Sequence, residues 1–109
     1  MKKALSLYAS SKYVKPSVFN ELYVGEGSPS VLAEGQITDI LEYCRDSFNM
    51  SSDCSTKFAA CINNLSEEKI QFLASNKVDQ LDIGIQTFDE EFRRMLLLRD
   101  SSKNAKLKL

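Results

Sequence analysis

The stretch from 81 to 89, Leu-Asp-Ile-Gly-Ile-Gln-Thr-Phe-Asp, constrains the fold more than any other part of the sequence. Apolar and polar residues alternate through its first six positions, as they do in a strand with one packed face and one polar face. The apolar set is Leu81, Ile83 and Ile85, and the polar set is Asp82, Gly84 and Gln86. A helix start follows at once, with either Thr87 or Asp89 as its cap. We therefore expect a strand whose apolar face packs in the core and whose polar face holds candidate functional residues.

Two shorter copies of this strand-then-helix pattern lie upstream. The first predicts a strand over 21–24, a glycine-rich turn and a helix over 34–48 with apolar positions at helical spacing. The second predicts a polar connection over 49–55, a strand over 56–62 and a helix capped by Ser66. The helices after the second and third strands are expected to bury two apolar stripes: Ile70, Leu73 and Ala74, then Phe88, Phe92, Met95 and Leu96.

Three strand-helix alternations with short connections place the chain in the α/β class, as three consecutive βα units with parallel strands. We expect a single domain over 1–109, with an N-terminal helix region over 1–19, the three units over 20–100 and a tail over 101–109. Ligands of such units gather at the carboxyl ends of the strands. The turns after Val24, Ile62 and Ile85 are therefore the candidate site.

Composition narrows the classes of partner. A net charge of -1 gives no support to electrostatic binding of nucleic acid. No apolar run approaches the roughly 18 residues of a membrane span, so we expect a cytoplasmic protein. The three cysteines, Cys44, Cys54 and Cys61, form no CxxC pair and the chain has no histidine, which argues against a zinc site. We expect reduced thiols, with Cys44 in the core.

Two segments resemble a known family. Residues 22–32, Leu-Tyr-Val-Gly-Glu-Gly-Ser-Pro-Ser-Val-Leu, resemble the strand and glycine turn "iYfGGGTPs-L" of the radical S-adenosylmethionine enzymes related to oxygen-independent coproporphyrinogen III oxidase. Residues 78–89 resemble the "GvnRlslGvQsfdd" segment of that family, and Arg99 falls near its following "lgR". Residues 65–69 match the helix start between them. The resemblance covers about 18–100, with the segments in order and at fitting distances.

This resemblance implies part of a radical S-adenosylmethionine (β/α) barrel, which holds S-adenosylmethionine and a 4Fe-4S cluster. In the family the glycine turn lies against the methionine part of the cofactor, and the glutamine and the later arginine contact its polar groups. Carried over by position, the cofactor-side residues are Gly25, Gly27, Ser28, Pro29, Gln86 and Arg99. The full-length relatives are expected to act on tetrapyrroles.

The chain also departs from the family pattern. The cluster ligands, a C-x3-C-x2-C motif before the first segment, have no counterpart, because residues 1–21 contain no cysteine. We therefore expect no cluster on this chain alone, and we assign neither metal ligands nor catalytic residues. Glu26 replaces the middle glycine of the turn, Ala59 the acid of the second strand, and Gln80 the arginine of "vnR".

The sequence thus predicts a fragment of a coproporphyrinogen oxidase-like radical S-adenosylmethionine protein of porphyrin or heme metabolism, inactive alone. The alternative is a non-enzymatic α/β interaction domain or a truncated gene product, so whether the chain is an enzyme stays open. A three-stranded open sheet has unpaired edges, which invite pairing with the missing half of a barrel or with a second copy. We expect an isolated preparation to be marginally stable or oligomeric, with neither nucleic acid nor membrane as partner.

Overall fold

The structure is a computed structural model that describes residues 1–98 and 101–107. Strands and helices alternate as the sequence predicts. In chain order the elements are α1 (Lys2–Ala9), β1 (Phe19–Val24), α2 (Glu34–Ser47), β2 (Met50–Cys61), α3 (Glu67–Ser75), β3 (Gln80–Gly84), α4 (Glu90–Met95) and α5 (Ser102–Leu107). Short 3-10 helices, Pro29–Val31 and Ile62–Asn64, follow β1 and β2. Within the described ranges, no helix has the length and apolar character needed to cross a membrane.

The strands form one parallel sheet in the order β1-β2-β3. Leu22 of β1 pairs with Thr56, and Phe58 pairs with Leu81 of β3, so β2 is the central strand. Sequential parallel order places the carboxyl ends of all the strands at the same edge of the sheet. The predicted fold class is confirmed.

The core lies between one face of the sheet and helices α2 and α3. Ile37 and Leu41 of α2 meet Phe58 of β2 and Leu73 of α3, and each of these side chains is at most 1% exposed. Cys44 is also buried on α2, as the sequence predicts, and this burial raises the pKa of its thiol. The other face of the sheet carries the exposed side chains Tyr23 and Asp82.

Polar contacts fix α3 against the sheet. The Ser66 hydroxyl accepts a hydrogen bond from the Lys69 amide at 3.2 Å, which is the predicted cap. At the other end, the Arg45 Nη2 of α2 donates to the carbonyls of Asn76 at 2.9 Å and Lys77 at 3.2 Å. These bonds satisfy carbonyl oxygens that a helix end leaves without helical partners, and they tie α2 to α3.

The second strand begins earlier than predicted. Residues 50–55 belong to β2, whereas their serines and aspartate predict a polar connection. The reason is pairing with β1: Met50 lies opposite Phe19, and the register then shifts so that Ser55 lies opposite Glu21. An irregularity of this kind accommodates extra residues in one strand. Strand pairing therefore overrides local composition here, as it often does for strands.

The prediction that the apolar stripes of the helices after β2 and β3 are buried is wrong for most of their residues. On α3 only Leu73 is buried, while Ile70 is 44% exposed and Ala74 is also exposed. On and before α4, all four predicted residues are exposed, from 41% for Phe88 to 70% for Met95. Periodicity shows which residues share a face, but burial also needs an element opposite that face. The buried residue of α4 is Arg93, which no apolar pattern predicts.

Candidate functional site

A cavity of about 370 Å³ opens where the three strands end. This volume is within the range of roughly 300–1,000 Å³ typical of small-molecule sites. Its lining comes from the end of β1 and the turn after it, the last residues of β2 and β3, and the turn after β3: Tyr23, Gly27, Ser28, Ala59, Ala60, Cys61, Asp82, Ile83, Gly84 and Gln86. The cavity therefore lies at the edge where the sequence places the site.

The turn after β1 owes its shape to two left-handed residues. Glu26 has φ 63° and Gly27 has φ 66°, a backbone region that glycine enters freely and other residues seldom do. Among the described residues beyond its two chain neighbours, no heavy atom lies within 4 Å of the position that a Cβ of Gly27 would occupy, so its backbone is open to the cavity. Glu26 adopts the same conformation with a side chain, so the departure from the family pattern does not prevent the turn.

Ser30 fixes this turn to the end of β2. It is 3% exposed, and its hydroxyl accepts a hydrogen bond from the Cys61 amide at 3.1 Å. The bond holds the 3-10 helix after the turn beside the last residue of β2. Sequence reasoning does not find this role, because only the three-dimensional structure shows that Cys61 ends beside the turn.

Gly25 and Pro29 do not line the cavity. A Cβ on Gly25 would overlap the Tyr23 ring, so glycine lets that ring lie over the start of the turn. Gly25 itself borders a separate, apolar cavity of about 360 Å³ that is lined mainly by residues of α1, β1 and α2. Pro29 is buried in the 3-10 helix. Both residues shape the turn rather than face the candidate ligand space.

Gln86 reaches the cavity through a strained turn. Its φ is 70°, and the Thr87 amide donates to the Ile85 carbonyl at 2.9 Å, which makes a three-residue γ-turn centred on Gln86. A Cβ on Gly84 would lie 3.3 Å from the Gln86 Nε2, so the amide side chain folds back over Gly84. Asp89 then caps α4, because its Oδ1 accepts from the amides of Glu91 at 2.9 Å and Phe92 at 3.0 Å.

Charges on the open face are paired across the strands. Lys57 Nζ lies 2.6 Å from the Glu21 carboxylate. The hydrogen bond to Glu21, the charge of Glu21 and the more distant charge of Asp82 all raise the pKa of the Lys57 ammonium. Asp82 is exposed and lines the cavity. The cavity thus offers open backbone, an amide and a carboxylate, a set suited to binding a polar molecule that carries a positive charge.

The structure brings half of the predicted cofactor-side residues to one cavity. Gly27, Ser28 and Gln86 line it together. Gly25 and Pro29 shape the turn but do not line the cavity. Arg99 lies outside the described residues. The cavity also includes Tyr23 and Cys61, which the sequence pattern does not single out.

The described residues do not fit an iron-sulfur cluster. Residues 1–98 and 101–107 contain no group of three or more His, Cys, Asp or Glu side chains placed to hold a metal ion. Cys44 is buried on α2, Cys54 lies within β2 and contacts Met50, and Cys61 lines the cavity. A 4Fe-4S cluster needs thiolates that converge. We therefore derive no step through such a cluster on this chain.

Replacing Gln86 with glycine is expected to stabilise the fold by about 0.5–1 kcal/mol, because glycine relieves a left-handed conformation that costs other residues roughly 1–2 kcal/mol. Gln80→Gly is the control with the same residue change, since Gln80 lies in β3, just before this turn, and has no positive φ. It should destabilise by about 0.5–1 kcal/mol. Urea midpoints of the two variants would then move in opposite directions. Equal losses of stability would contradict the strain at Gln86.

Comparisons with known proteins identify relatives of this chain. No protein-family profile matches the chain. The heme chaperone HemW of Bacillus subtilis (strain 168) is 33% identical over 72 residues, which are 64% of this chain and 19% of that protein. The oxygen-independent coproporphyrinogen III oxidase of Escherichia coli (strain K12) is 22% identical over 77 residues, 71% of this chain and 17% of that protein. The chain thus spans about a fifth of the length of these relatives.

The solved structure of coproporphyrinogen III oxidase (HemN) from Escherichia coli, described as a radical SAM enzyme, has the same fold over nearly the whole chain. The two align with a TM-score of 0.77 at 18% identity, covering 97% of this chain and 25% of that one. The three strand-helix units therefore correspond to a part of that fold. The predicted resemblance is confirmed.

Proposed function

Because the chain is a relative of the coproporphyrinogen III oxidase-like radical S-adenosylmethionine proteins, we propose that it contributes an S-adenosylmethionine site to porphyrin- or heme-related chemistry. The observation that carries this proposal is the convergence of Gly27, Ser28 and Gln86 on one cavity. These residues come from two turns that lie far apart in sequence. Their meeting at the strand ends agrees with the general position of ligands in parallel sheets.

Each group around the cavity has a distinct part in holding this cofactor. The open backbone at Gly27 and Ser28 allows close approach of a polar ligand. The Gln86 amide offers both a donor and an acceptor, and the Asp82 carboxylate favours a cationic ligand. When bound, S-adenosylmethionine supplies a sulfonium centre that can be cleaved by an added electron. Since the described residues do not fit the cluster that would deliver that electron, we propose that this chain alone binds without turnover.

Calorimetry with S-adenosylmethionine and the full chain tests this proposal. We expect saturable binding at one site, and about tenfold weaker binding for Gln86→Ala, because losing one hydrogen bond costs about 0.5–1.5 kcal/mol. Gln71→Ala is the matched control: Gln71 is exposed on α3, remote from the cavity, and should leave binding unchanged. No saturable heat, or equal losses in both variants, would contradict the proposed site.

A second candidate function is association with another polypeptide. It is favoured by the exposed apolar residues at the end of α4: Phe92 at 58%, Met95 at 70%, Leu96 at 58% and Leu97 at 86%. An apolar surface of this kind often marks an interaction site, and β1 and β3 are the edge strands of the sheet that the described residues form. We propose a second copy of the chain as the partner of an isolated preparation. Light scattering should then show an oligomer, whereas a monomer whose melting temperature does not depend on concentration would contradict it.

A further inference from the structure

Arg93 is the one charged side chain that is buried within the described ranges, at 3% exposure. A buried guanidinium is unfavourable unless hydrogen bonds compensate for its lost hydration. Its Nη1 donates to the Ile85 carbonyl at 3.0 Å and to the Thr87 carbonyl at 2.6 Å. Charge-assisted bonds of this kind are among the stronger hydrogen bonds in proteins. The buried charge of α4 is therefore directed at the end of β3.

The two carbonyls that Arg93 contacts lie on either side of Gln86. The Ile85 carbonyl also accepts from the Thr87 amide, so it has two donors, one from the γ-turn and one from α4. Gln86 holds φ 70°, a conformation that persists in a residue with a side chain only where surrounding contacts impose it. The guanidinium supplies such contacts, because it fixes the carbonyls before and after Gln86 at once.

The position of Arg93 follows from the cap of α4. Asp89 begins the helix, and Arg93 lies one turn later, with its amide donating to the Asp89 carbonyl at 2.9 Å. From there the side chain runs back beneath the turn after β3. The neighbouring Arg94 differs: it is exposed, and its Nε donates to the Glu90 carbonyl of its own helix at 3.2 Å. Of the two adjacent arginines, Arg93 is therefore buried against the turn after β3, whereas Arg94 lies on the surface.

We propose that Arg93 is a positioning residue, which holds the turn from Ile85 to Thr87 so that the Gln86 amide faces the cavity. The inference rests on the proposed function, because the ligand in question is S-adenosylmethionine. Arg93 does not line the cavity, so it acts through Gln86. Loss of its donors should let Gln86 leave the left-handed conformation and carry its amide away from the ligand space.

The test uses the full chain with Arg93→Met, which keeps much of the volume and removes the donors, and Arg93→Lys, which keeps the charge and a donor. Calorimetry with S-adenosylmethionine should show binding weakened several-fold for Arg93→Met, up to the roughly tenfold loss expected for Gln86→Ala, and partial recovery for Arg93→Lys. The Gln86 and Thr87 backbone resonances should shift in Arg93→Met, while those of β1 stay in place. Arg94→Met is the matched control and should match the unmodified chain in both readouts.

The possible results separate this inference from the proposed function. If the unmodified chain binds S-adenosylmethionine and folded Arg93→Met binds it equally well, the positioning role is overturned. If the unmodified chain does not bind S-adenosylmethionine, the proposed function fails. In that case, a shift of the Gln86 resonances that is confined to the Arg93 variants still supports the role of Arg93 in the turn. If the Gln86 resonances do not shift in these variants, that role is overturned. Should Arg93→Met not fold, Arg93→Lys decides: unchanged binding and unchanged Gln86 and Thr87 resonances overturn the role, and weaker binding with shifted resonances supports it.

Discussion

Replacing Phe58 with alanine is expected to lower the free energy of unfolding by about 3–5 kcal/mol. Phe58 is 1% exposed in the central strand and packs against Ile37, Leu41 and Leu73, so its loss removes the contact that joins both core helices to the sheet. Small domains are stable by only about 5–15 kcal/mol. We therefore expect the variant to be largely unfolded or close to it, as measured by the urea midpoint in circular dichroism.

Phe88→Ala provides the control for this experiment. Phe88 is 41% exposed and lies before α4, outside the core cluster. Surface substitutions usually change stability by less than about 0.5 kcal/mol, and the partial burial of Phe88 allows somewhat more. The two phenylalanines should thus differ several-fold in their effect. Similar shifts of the urea midpoint would show that the core does not lie under α2 and α3.

Anaerobic reconstitution with iron and sulfide is expected to leave this chain without a stoichiometric 4Fe-4S cluster. Cluster binding needs several thiolates at one place, whereas Cys44 is buried on α2 and Cys61 lies at the cavity, at opposite faces of the sheet. Burial also raises the pKa of the Cys44 thiol, which disfavours the thiolate that a metal requires. Absorption near the charge-transfer band, together with iron and sulfide assays, measures the outcome.

A variant with Cys44, Cys54 and Cys61 all changed to serine controls for iron that adheres without specific ligands. The unmodified chain and this variant should retain the same small amount of iron after desalting. Four iron and four sulfide atoms per unmodified chain, lost in the variant, would show that the cysteines converge in solution. That result would overturn the assignment of this chain as a binding unit without its own cluster.

The fold was largely predictable because its signals are local. The alternation that predicts β3 lies within residues 81–86, although the strand itself ends at Gly84 because the chain turns at Gln86 with φ 70°. The stripe from Ile37 to Cys44 lies within one helix. Short connections between strands then leave little choice but a parallel sheet with right-handed crossovers. The cap at Ser66 is equally local, since the hydroxyl and the Lys69 amide that it accepts from are three residues apart.

The features that the sequence did not predict depend on contacts between residues that are far apart in the chain. Such contacts cannot be inferred from a single sequence. The early start of β2 at Met50 follows from pairing with Phe19, and the place of Ser30 follows from its bond to Cys61. Nothing in the sequence distinguishes Arg93 from a surface arginine, because its burial depends on its bonds to the Ile85 and Thr87 carbonyls. Half of the predicted cofactor-side residues line the cavity, namely Gly27, Ser28 and Gln86. Gly25 instead borders the other cavity and shapes the turn from there.

We propose that S-adenosylmethionine binds at the carboxyl ends of the strands. The most direct test of this proposal is a proton–nitrogen correlation spectrum of the labelled chain during titration with that ligand. We expect progressive, saturable shifts of the amides of Gly27, Cys61 and Gln86, with little change at Leu5 and Ile40, which border the apolar cavity. Shifts concentrated at Leu5 and Ile40, or no shifts up to the solubility limit of the ligand, would contradict it.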